Sequence, residues 1–220
     1  MTYQHIFFDL DGTLIDSAEG IYQCFRYALN HFGITEVSDQ QLAPVIGPPL
    51  FDSFRDLFGF SPEKANKAVA IYRQRYEPIG IWESRVYEGI PQLLKRLHQR
   101  DVKLYLATSK PEKFARAILE RYQLAPFFTY AAGASPDDRR SSKEAVLEYL
   151  FEKSGITDRT QVLMVGDRHY DLNGAAAFHI SGAGVLYGFG DRRELEACPH
   201  VYLAETPGDL GDFILNRSAI

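Results

Sequence analysis

Toward the C terminus, from residue 87 onward, short apolar runs alternate with stretches of helical periodicity. Val102 to Thr108 and Val162 to Val165 are compact apolar runs of the kind found in buried strands. Gly89 to Arg100 places several leucines on one face of a helix. Strands that alternate with helices form a parallel sheet joined by right-handed crossovers. The alternation therefore predicts an α/β fold with a Rossmann-like parallel sheet core.

The sequence before this alternation has a different character. Tyr3 to Asp9 contains a continuous apolar run that predicts a buried strand, and the turn signal Asp11-Gly12-Thr13 follows directly. After that turn the apolar spacing is helical for about seventy residues, and no segment has the pattern of a strand. We therefore predict a core domain made of residues 1–15 and 84–220, with a small α-helical domain, residues 16–83, inserted after the first strand.

The composition argues against several classes of protein. Lys and Arg total 24 against 29 Asp and Glu, a net charge of −5, so the chain has no general attraction for nucleic acid or an anionic membrane. No apolar run approaches the roughly 18 residues that cross a bilayer, and the first residues lack the pattern of a secretory signal. Two cysteines are too few for a disulfide framework. We expect a cytoplasmic monomer or homodimer that acts without nucleic acid or membrane.

The residues best suited to chemistry stand at the carboxyl ends of the predicted strands. In open parallel sheets, ligands bind beyond those ends. A lysine that opens the helix before one of these strands belongs to the same group. The candidates are Asp9, Asp11, Thr108, Ser109, Lys110, Lys143, Asp167 and Asp171. If the sheet brings these ends together, the carboxylates, lysines and hydroxyls of this group share one crevice.

Carboxylates crowded into one crevice raise each other's pKa values unless a cation is bound. Mg²⁺ prefers carboxylate oxygens and keeps some of its waters, so it removes this cost. Mg²⁺ with a lysine suits a phosphate ester, because both neutralise the phosphoryl group while a carboxylate attacks phosphorus. Asp9 is the candidate nucleophile because its strand fixes it. Asp11, two residues later, is the candidate general acid and base.

Four segments together resemble the motifs of the haloacid dehalogenase (HAD) superfamily of phosphatases. They are Asp9-Leu10-Asp11-Gly12-Thr13-Leu14, Leu106-Ala107-Thr108-Ser109-Lys110, Lys143, and Gly166-Asp167-Arg168-His169-Tyr170-Asp171. They follow the family's order and span nearly the whole predicted core. The resemblance implies a HAD-like core with an inserted helical cap.

The resemblance also implies a role for each matching residue. Asp9 would carry an aspartyl-phosphate, and Asp11 would be the acid and base. Asp9, Asp167 and the backbone carbonyl of Asp11 would ligate Mg²⁺, with Asp171 in support. Thr108 would donate a hydrogen bond to the phosphoryl oxygens, and Lys143 would neutralise them. The further phosphate-binding candidates are Gly12, Ser109 and Lys110, of which Lys110 is the alternative phosphate lysine.

Three segments resemble the phosphoglycolate-phosphatase-like branch of the family. They are Arg168-His169-Tyr170, Ile46-Gly47-Pro48-Pro49-Leu50 and Gly188-Phe189-Gly190. This branch implies a Mg²⁺-dependent phosphomonoesterase for a small metabolite phosphate such as 2-phosphoglycolate, with specificity set by the cap. A 5'-nucleotidase-type phosphatase and a sugar phosphomutase are the alternatives within the fold. A catalytically silent binding module is the alternative from a different class.

Overall fold

A computed structural model describes residues 3–136 and 139–216 of the protein. The chain divides into two compact units: a sheet unit, residues 1–15 with 86–220, and an inserted unit, residues 16–85. Within the described part of the chain, no helix combines the length and the apolar character that a membrane crossing requires.

A six-stranded parallel sheet forms the centre of the sheet unit. Its strands are β1 (His5–Phe8), β4 (Lys103–Pro111), β5 (Phe128–Ala134), β6 (Val162–Gly166), β7 (Ser181–Val185) and β8 (Tyr202–Ala204). Their order across the sheet is β5-β4-β1-β6-β7-β8, and each neighbouring pair is parallel. Two further strands, β2 (Ile15–Asp16) and β3 (Arg85–Val86), stand where the chain passes between the units.

Strand β1 lies between β4 and β6. Phe8 is aligned with Leu106 of β4 and with Val165 of β6. Ile6, Phe7 and Phe8 are 0% exposed, as expected for a central strand covered on both faces. Because the three strands are parallel and in this register, their carboxyl ends meet at one edge of the sheet. The residues that follow each strand are therefore neighbours in space.

The α-helices of the described residues fall in both units. They are α1 (Ala18–His31), α2 (Asp39–Leu42), α3 (Leu50–Asp52), α4 (Pro62–Tyr76), α5 (Ile90–His98), α6 (Glu112–Arg121), α7 (Lys143–Ser154), α8 (His169–Ala177), α9 (Arg192–Glu196) and α10 (Pro207–Asn216). A π-helical turn, Ser53–Leu57, continues α3 directly.

Helix α7 covers part of one face of the sheet. Ser142 caps the helix, because its hydroxyl oxygen accepts a hydrogen bond of 3.2 Å from the Ala145 N–H. Val146 and Leu147 are fully buried and belong to the same apolar cluster as Phe7 of β1. The cap and this packing together fix the first turn of α7 at the edge of the sheet.

The inserted unit has an aromatic core of its own. The ring of Phe25 on α1 lies 4.6 Å from that of Phe54 and 5.2 Å from that of Tyr72 on α4. Such aromatic pairs stabilise beyond the area that they bury. Ser38 and Ser61 cap α2 and α4 by accepting backbone N–H bonds.

The predicted α/β fold with a parallel sheet is confirmed, and the main local difference concerns β4. The sequence pattern predicted that this strand ends at Thr108, whereas β4 continues to Pro111. Pro111 is aligned with Ala134 of β5 after an irregularity in the register. Polar residues followed by a proline are typical of a turn, which is why the pattern did not indicate the extension.

Candidate active site

Three neighbouring strands supply the centre of the site. Asp9 comes directly after β1, and its backbone N–H donates a 2.9 Å hydrogen bond to the Val165 carbonyl of β6. Thr108 lies in β4, and Asp167 follows the last residue of β6. All three side chains are nearly or fully buried, Asp9 at 9%, Thr108 at 2% and Asp167 at 0% exposure. The polar strand ends predicted from the sequence therefore meet at one edge of the sheet.

Lys143 joins two of the site's aspartates. Its Nζ lies 2.7 Å from Asp9 Oδ1 and 2.7 Å from Asp171 Oδ1, and it donates a 2.7 Å bond to the Ala107 carbonyl. Burial by itself lowers the pKa of this lysine, but the charges of Asp171 and Asp9 raise it more, so the net shift is upward. Lys143 therefore stays an ammonium ion inside the protein.

Asp9 is electrostatically unusual. Burial raises the pKa of its carboxyl to about 6, with Lys143 opposing the shift and Asp171 adding to it. Burial also raises the pKa of Asp167 well above its ordinary value, and the charges of Asp171 and Asp9 add to that shift. Both carboxyls are therefore harder to ionise in the folded protein than in water.

The contacts of Asp167 orient both of its oxygens. The Thr13 hydroxyl donates a 3.2 Å bond to Oδ1, and the Phe189 N–H donates a 2.8 Å bond to Oδ2. Gly12 has a φ of +85°, and a Cβ there would lie 2.0 Å from Asp167 Oδ2. Glycine is therefore required at this position both for the backbone conformation and for the close approach.

Asp11 is held by a second lysine. Lys110 Nζ donates to both carboxylate oxygens of Asp11, at 2.8 Å each. The backbone N–H of Lys110 donates a 3.2 Å bond to Thr108 Oγ1, and Ser109 between them is half-buried. Of the two candidate phosphate lysines, Lys143 is therefore the one in contact with Asp9, while Lys110 is in contact with Asp11.

The donor set fits a divalent cation. Carboxylate oxygens of Asp9, Asp167 and Asp171 all lie within 4.8 Å of one another. These three carboxylates carry a formal charge of −3 and the Lys143 ammonium one of +1, which leaves −2 in a buried site. Carboxylate oxygens are the ligands that Mg²⁺ prefers. A divalent cation would balance the charge and lower the raised pKa values of Asp9 and Asp167.

Sequence reasoning missed a group of supporting contacts around Asp167. Glu194 Oε1 on α9 accepts bonds from the His169 N–H at 2.8 Å and from Arg168 Nε at 2.9 Å, and it lies 2.7 Å from His169 Nδ1. Burial raises the pKa of Glu194, but these donors lower it more, so the net shift is downward. Asp191 caps α9 by accepting from the Glu194 N–H. The spacing of Asp191 and Glu194 is the signal that could have indicated this short helix.

Tyr187 is a second residue that the sequence did not indicate. Its hydroxyl donates a 3.1 Å bond to the Thr13 carbonyl, which fixes the turn that carries Asp11 and Gly12. Burial raises the pKa of Tyr187, with the charge of Asp167 adding to the shift, so the hydroxyl remains a donor.

Comparison with known proteins agrees with this geometry. The family model of haloacid dehalogenase-like hydrolases matches residues 6–185. A 5'-nucleotidase from Pseudomonas aeruginosa is 41% identical over 90% of this chain and 89% of its own length. A phosphoglycolate phosphatase from Vibrio vulnificus is 29% identical over 98% of this chain and 99% of its own length. The tyrosine-protein kinase PtkA from Mycobacterium tuberculosis is 40% identical over 85% of this chain and 63% of its own length.

Solved structures agree as well. The crystal structure of a predicted phosphatase from Clostridium acetobutylicum is similar with a TM-score of 0.93 and 39% identity, covering 98% of this chain and all of that one. The family match, the sheet topology and the placement of the four motifs lead to the same assignment. The chain belongs to the haloacid dehalogenase-like hydrolases, and its relatives place it among the phosphatases of that family, in the phosphoglycolate-phosphatase-like branch.

Proposed function

We propose that this protein is a Mg²⁺-dependent phosphomonoesterase that hydrolyses a small metabolite phosphate through an aspartyl-phosphate on Asp9. One observation carries the proposal. The Asp9 carboxylate lies 2.7 Å from the Lys143 ammonium and within 4.8 Å of the oxygens of Asp167 and Asp171. The site therefore brings together a nucleophile, an ammonium group that can neutralise phosphate, and a set of carboxylates that can bind a metal ion.

In the first step, a carboxylate oxygen of Asp9 bonds to phosphorus while the bond to the ester oxygen breaks. Lys143 neutralises the phosphoryl oxygens. Thr108 Oγ1 accepts a bond from the Lys110 N–H, which leaves its own proton available for a phosphoryl oxygen. Asp9, Asp167 and Asp171, with the backbone carbonyl of Asp11, would hold Mg²⁺, which when bound supplies further neutralisation of the transferring group.

Asp11 acts as the general acid and then as the general base. It gives a proton to the departing ester oxygen, and it then takes one from the water that attacks the aspartyl-phosphate and restores the Asp9 carboxylate. Lys110 holds the Asp11 side chain by donating to both of its carboxylate oxygens.

The role of Asp11 predicts a dependence on the leaving group. In Asp11→Asn, turnover of an alkyl phosphate is expected to fall by about 10²- to 10⁴-fold, because an alkoxide leaves poorly without a proton. With p-nitrophenyl phosphate, the rate constant of the first step, transfer of the phosphoryl group to Asp9, is expected to fall much less, because p-nitrophenolate leaves without a proton. Burst kinetics on both esters give the comparison. Equal losses in the first step for the two esters would contradict the proton-donor role.

The proposed metal site predicts an unusual stability change in Asp167→Asn. Because burial raises the pKa of Asp167, its stabilising contribution is present below about pH 4 and is lost as the pH rises through the raised value. At pH 7 without metal, folding must either bury the charge of Asp167 or protonate its carboxyl, and both cost free energy, so Asp167→Asn is expected to raise the melting temperature by a few degrees.

The same variant is expected to lose the rise in melting temperature that Mg²⁺ gives the wild-type protein. Thermal unfolding with EDTA and with Mg²⁺ measures both effects. Asp191→Asn, at the cap of α9, is a control that should keep the Mg²⁺ response. An unchanged Mg²⁺ response in Asp167→Asn would remove Asp167 from the metal site.

We further propose 2-phosphoglycolate or a similarly small ester as the substrate, residues 16–83 as the family's cap domain, and the cytoplasm as the compartment. The similarity to a protein named phosphoglycolate phosphatase supports 2-phosphoglycolate as the substrate. The similarity to a 5'-nucleotidase supports a nucleoside monophosphate as the second candidate substrate. Cys24 and Cys198 are both buried and form no disulfide, which supports a reducing compartment.

The deciding experiment is phosphate release from a panel of monoesters, with Mg²⁺ and then with EDTA. We expect release that depends on Mg²⁺, with the highest kcat/KM for a small ester. Accumulation of a hexose bisphosphate in place of free phosphate would favour a sugar phosphomutase. If no ester releases phosphate under either condition, the result would favour a binding module.

A further inference from the structure

Lys110 is a nearly buried lysine that the proposed chemistry uses only to hold Asp11. Its side chain is 6% exposed, and its Nζ lies 2.8 Å from each oxygen of the Asp11 carboxylate. Lys143, by contrast, contacts Asp9, the residue that receives the phosphoryl group. The two lysines are thus divided between the two reactive aspartates.

The backbone that carries Lys110 is tightly placed. A Cβ at Gly133 on the neighbouring strand β5 would lie only 2.6 Å from the Lys110 carbonyl oxygen. The Lys110 N–H is bonded to Thr108 Oγ1, and Pro111 is aligned with Ala134. These contacts fix the start of the side chain, so the ammonium has a defined position beside Asp11.

With Asp11 as the proton donor, that position lies beside the leaving group. To protonate the ester oxygen, Asp11 must lie within hydrogen-bond distance of it. The ammonium is bonded to the same carboxylate, so the ester oxygen and Lys110 Nζ are within about 6 Å of each other, the sum of two hydrogen-bond lengths. A substituent on the carbon next to the ester oxygen is therefore within reach of the ammonium.

We infer that Lys110 is a specificity-determining residue, which selects phosphate esters whose alcohol carries a second negatively charged group close to the ester oxygen. The inference rests on the proposed function. A nearly buried ammonium bonds an anion more strongly than it bonds a neutral hydroxyl, and it repels a second cation. In 2-phosphoglycolate the carboxylate is bonded directly to the carbon that carries the ester oxygen and has the right charge, whereas a nucleoside places no charge there.

Three esters of nearly equal size separate charge from shape. 2-Phosphoglycolate carries a carboxylate, 2-hydroxyethyl phosphate a neutral hydroxyl, and 2-aminoethyl phosphate an ammonium at the same distance from the ester oxygen. We expect the wild-type kcat/KM to be highest for the carboxylate ester, by about 10²-fold over the hydroxyl ester, and lowest for the amino ester. A wild-type protein that hydrolyses the hydroxyl ester as efficiently as the carboxylate ester overturns the inference.

Variants of Lys110 assign this preference to the residue. Lys110→Met is expected to lower kcat/KM for 2-phosphoglycolate by about 10²-fold more than for 2-hydroxyethyl phosphate, because any loss that acts through Asp11 affects both esters equally, so the preference between the two disappears. Lys110→Arg keeps the charge and should keep the order of the three esters. Lys103→Met, at the exposed start of the same strand, should match the wild type.

The outcomes separate two kinds of failure. Equal losses for all three esters in Lys110→Met, with the preference unchanged, mean that Lys110 acts only through Asp11, and the inference is wrong. Because this result is a ratio within one protein, a lower fraction of folded variant does not change it. If the wild-type protein releases phosphate neither from these three esters nor from the wider panel of monoesters, the proposed function itself fails.

Discussion

Asp9→Asn is expected to fold normally and to lose turnover of every phosphate ester by about 10⁴-fold or more. The amide has the shape of the carboxylate, and its oxygen can still accept the bond from Lys143 Nζ that Asp9 Oδ1 accepts at 2.7 Å. The amide is, however, a very poor nucleophile, so no bond to phosphorus forms. Steady-state phosphate release with Mg²⁺, for p-nitrophenyl phosphate and 2-phosphoglycolate, measures the effect.

An aspartate outside the site provides the matched control. Asp212 on α10 is exposed and pairs with Arg96. Asp212→Asn is expected to keep wild-type turnover and a nearly unchanged melting temperature, since exposed ion pairs contribute little. If Asp9→Asn turned over p-nitrophenyl phosphate at close to the wild-type rate, Asp9 could not be the nucleophile.

Lys143→Met is expected to destabilise the metal-free protein by about 3–5 kcal/mol at pH 7. The Lys143 side chain is 4% exposed and contacts both Asp9 and Asp171. Its removal therefore leaves these two buried carboxylates without their positive counter-charge. Methionine has a similar length and fills the space, so the loss reports charge and not a cavity. Urea unfolding in EDTA gives the free energy of unfolding.

The pH dependence of this loss follows from Asp9. Burial raises the pKa of Asp9 to about 6, above the value of about 3.9 expected in an unfolded chain. Its stabilising contribution is therefore full below about pH 4 and is lost as the pH rises through 6. Without Lys143 the carboxyl keeps its proton to a still higher pH, so Lys143→Met should be less destabilising at pH 5 than at pH 7.5.

Lys153 is the control for this experiment because it lies on the same helix, α7. Its side chain is 43% exposed and lies 4.0 Å from Glu152. Lys153→Met should change the free energy of unfolding by less than about 1 kcal/mol at either pH. A Lys143→Met protein as stable as Lys153→Met at pH 7.5 would contradict the account of Lys143 as the internal counter-charge.

Much of the sheet and of the site followed from the sequence because both depend on local patterns. The apolar run that ends at Phe8 indicated a buried strand, and Asp9 and Asp11 come directly after it. Parallel strands bring their carboxyl ends to one edge, so the same reasoning brought Asp167 next to Asp9. For these residues, strand position alone determines where the side chain lies.

What the sequence did not indicate depends on side-chain direction and on short elements. The assignment of Lys143 to Asp9 and of Lys110 to Asp11 depends on how α7 and β4 point their side chains into the site. Glu194 lies on a five-residue helix, too short for a hydrophobic period to appear. The Phe189 N–H that orients Asp167 is a backbone group, which no residue pattern reveals.

The most direct test of the central claim is to locate the phosphoryl group during turnover. The protein is mixed with a phosphate ester and Mg²⁺, quenched in acid within one turnover, digested and analysed by mass spectrometry. The account predicts the mass increment of one phosphoryl group on Asp9, lost on brief exposure to alkali and absent from Asp9→Asn. Turnover with the phosphoryl group on another residue would contradict it.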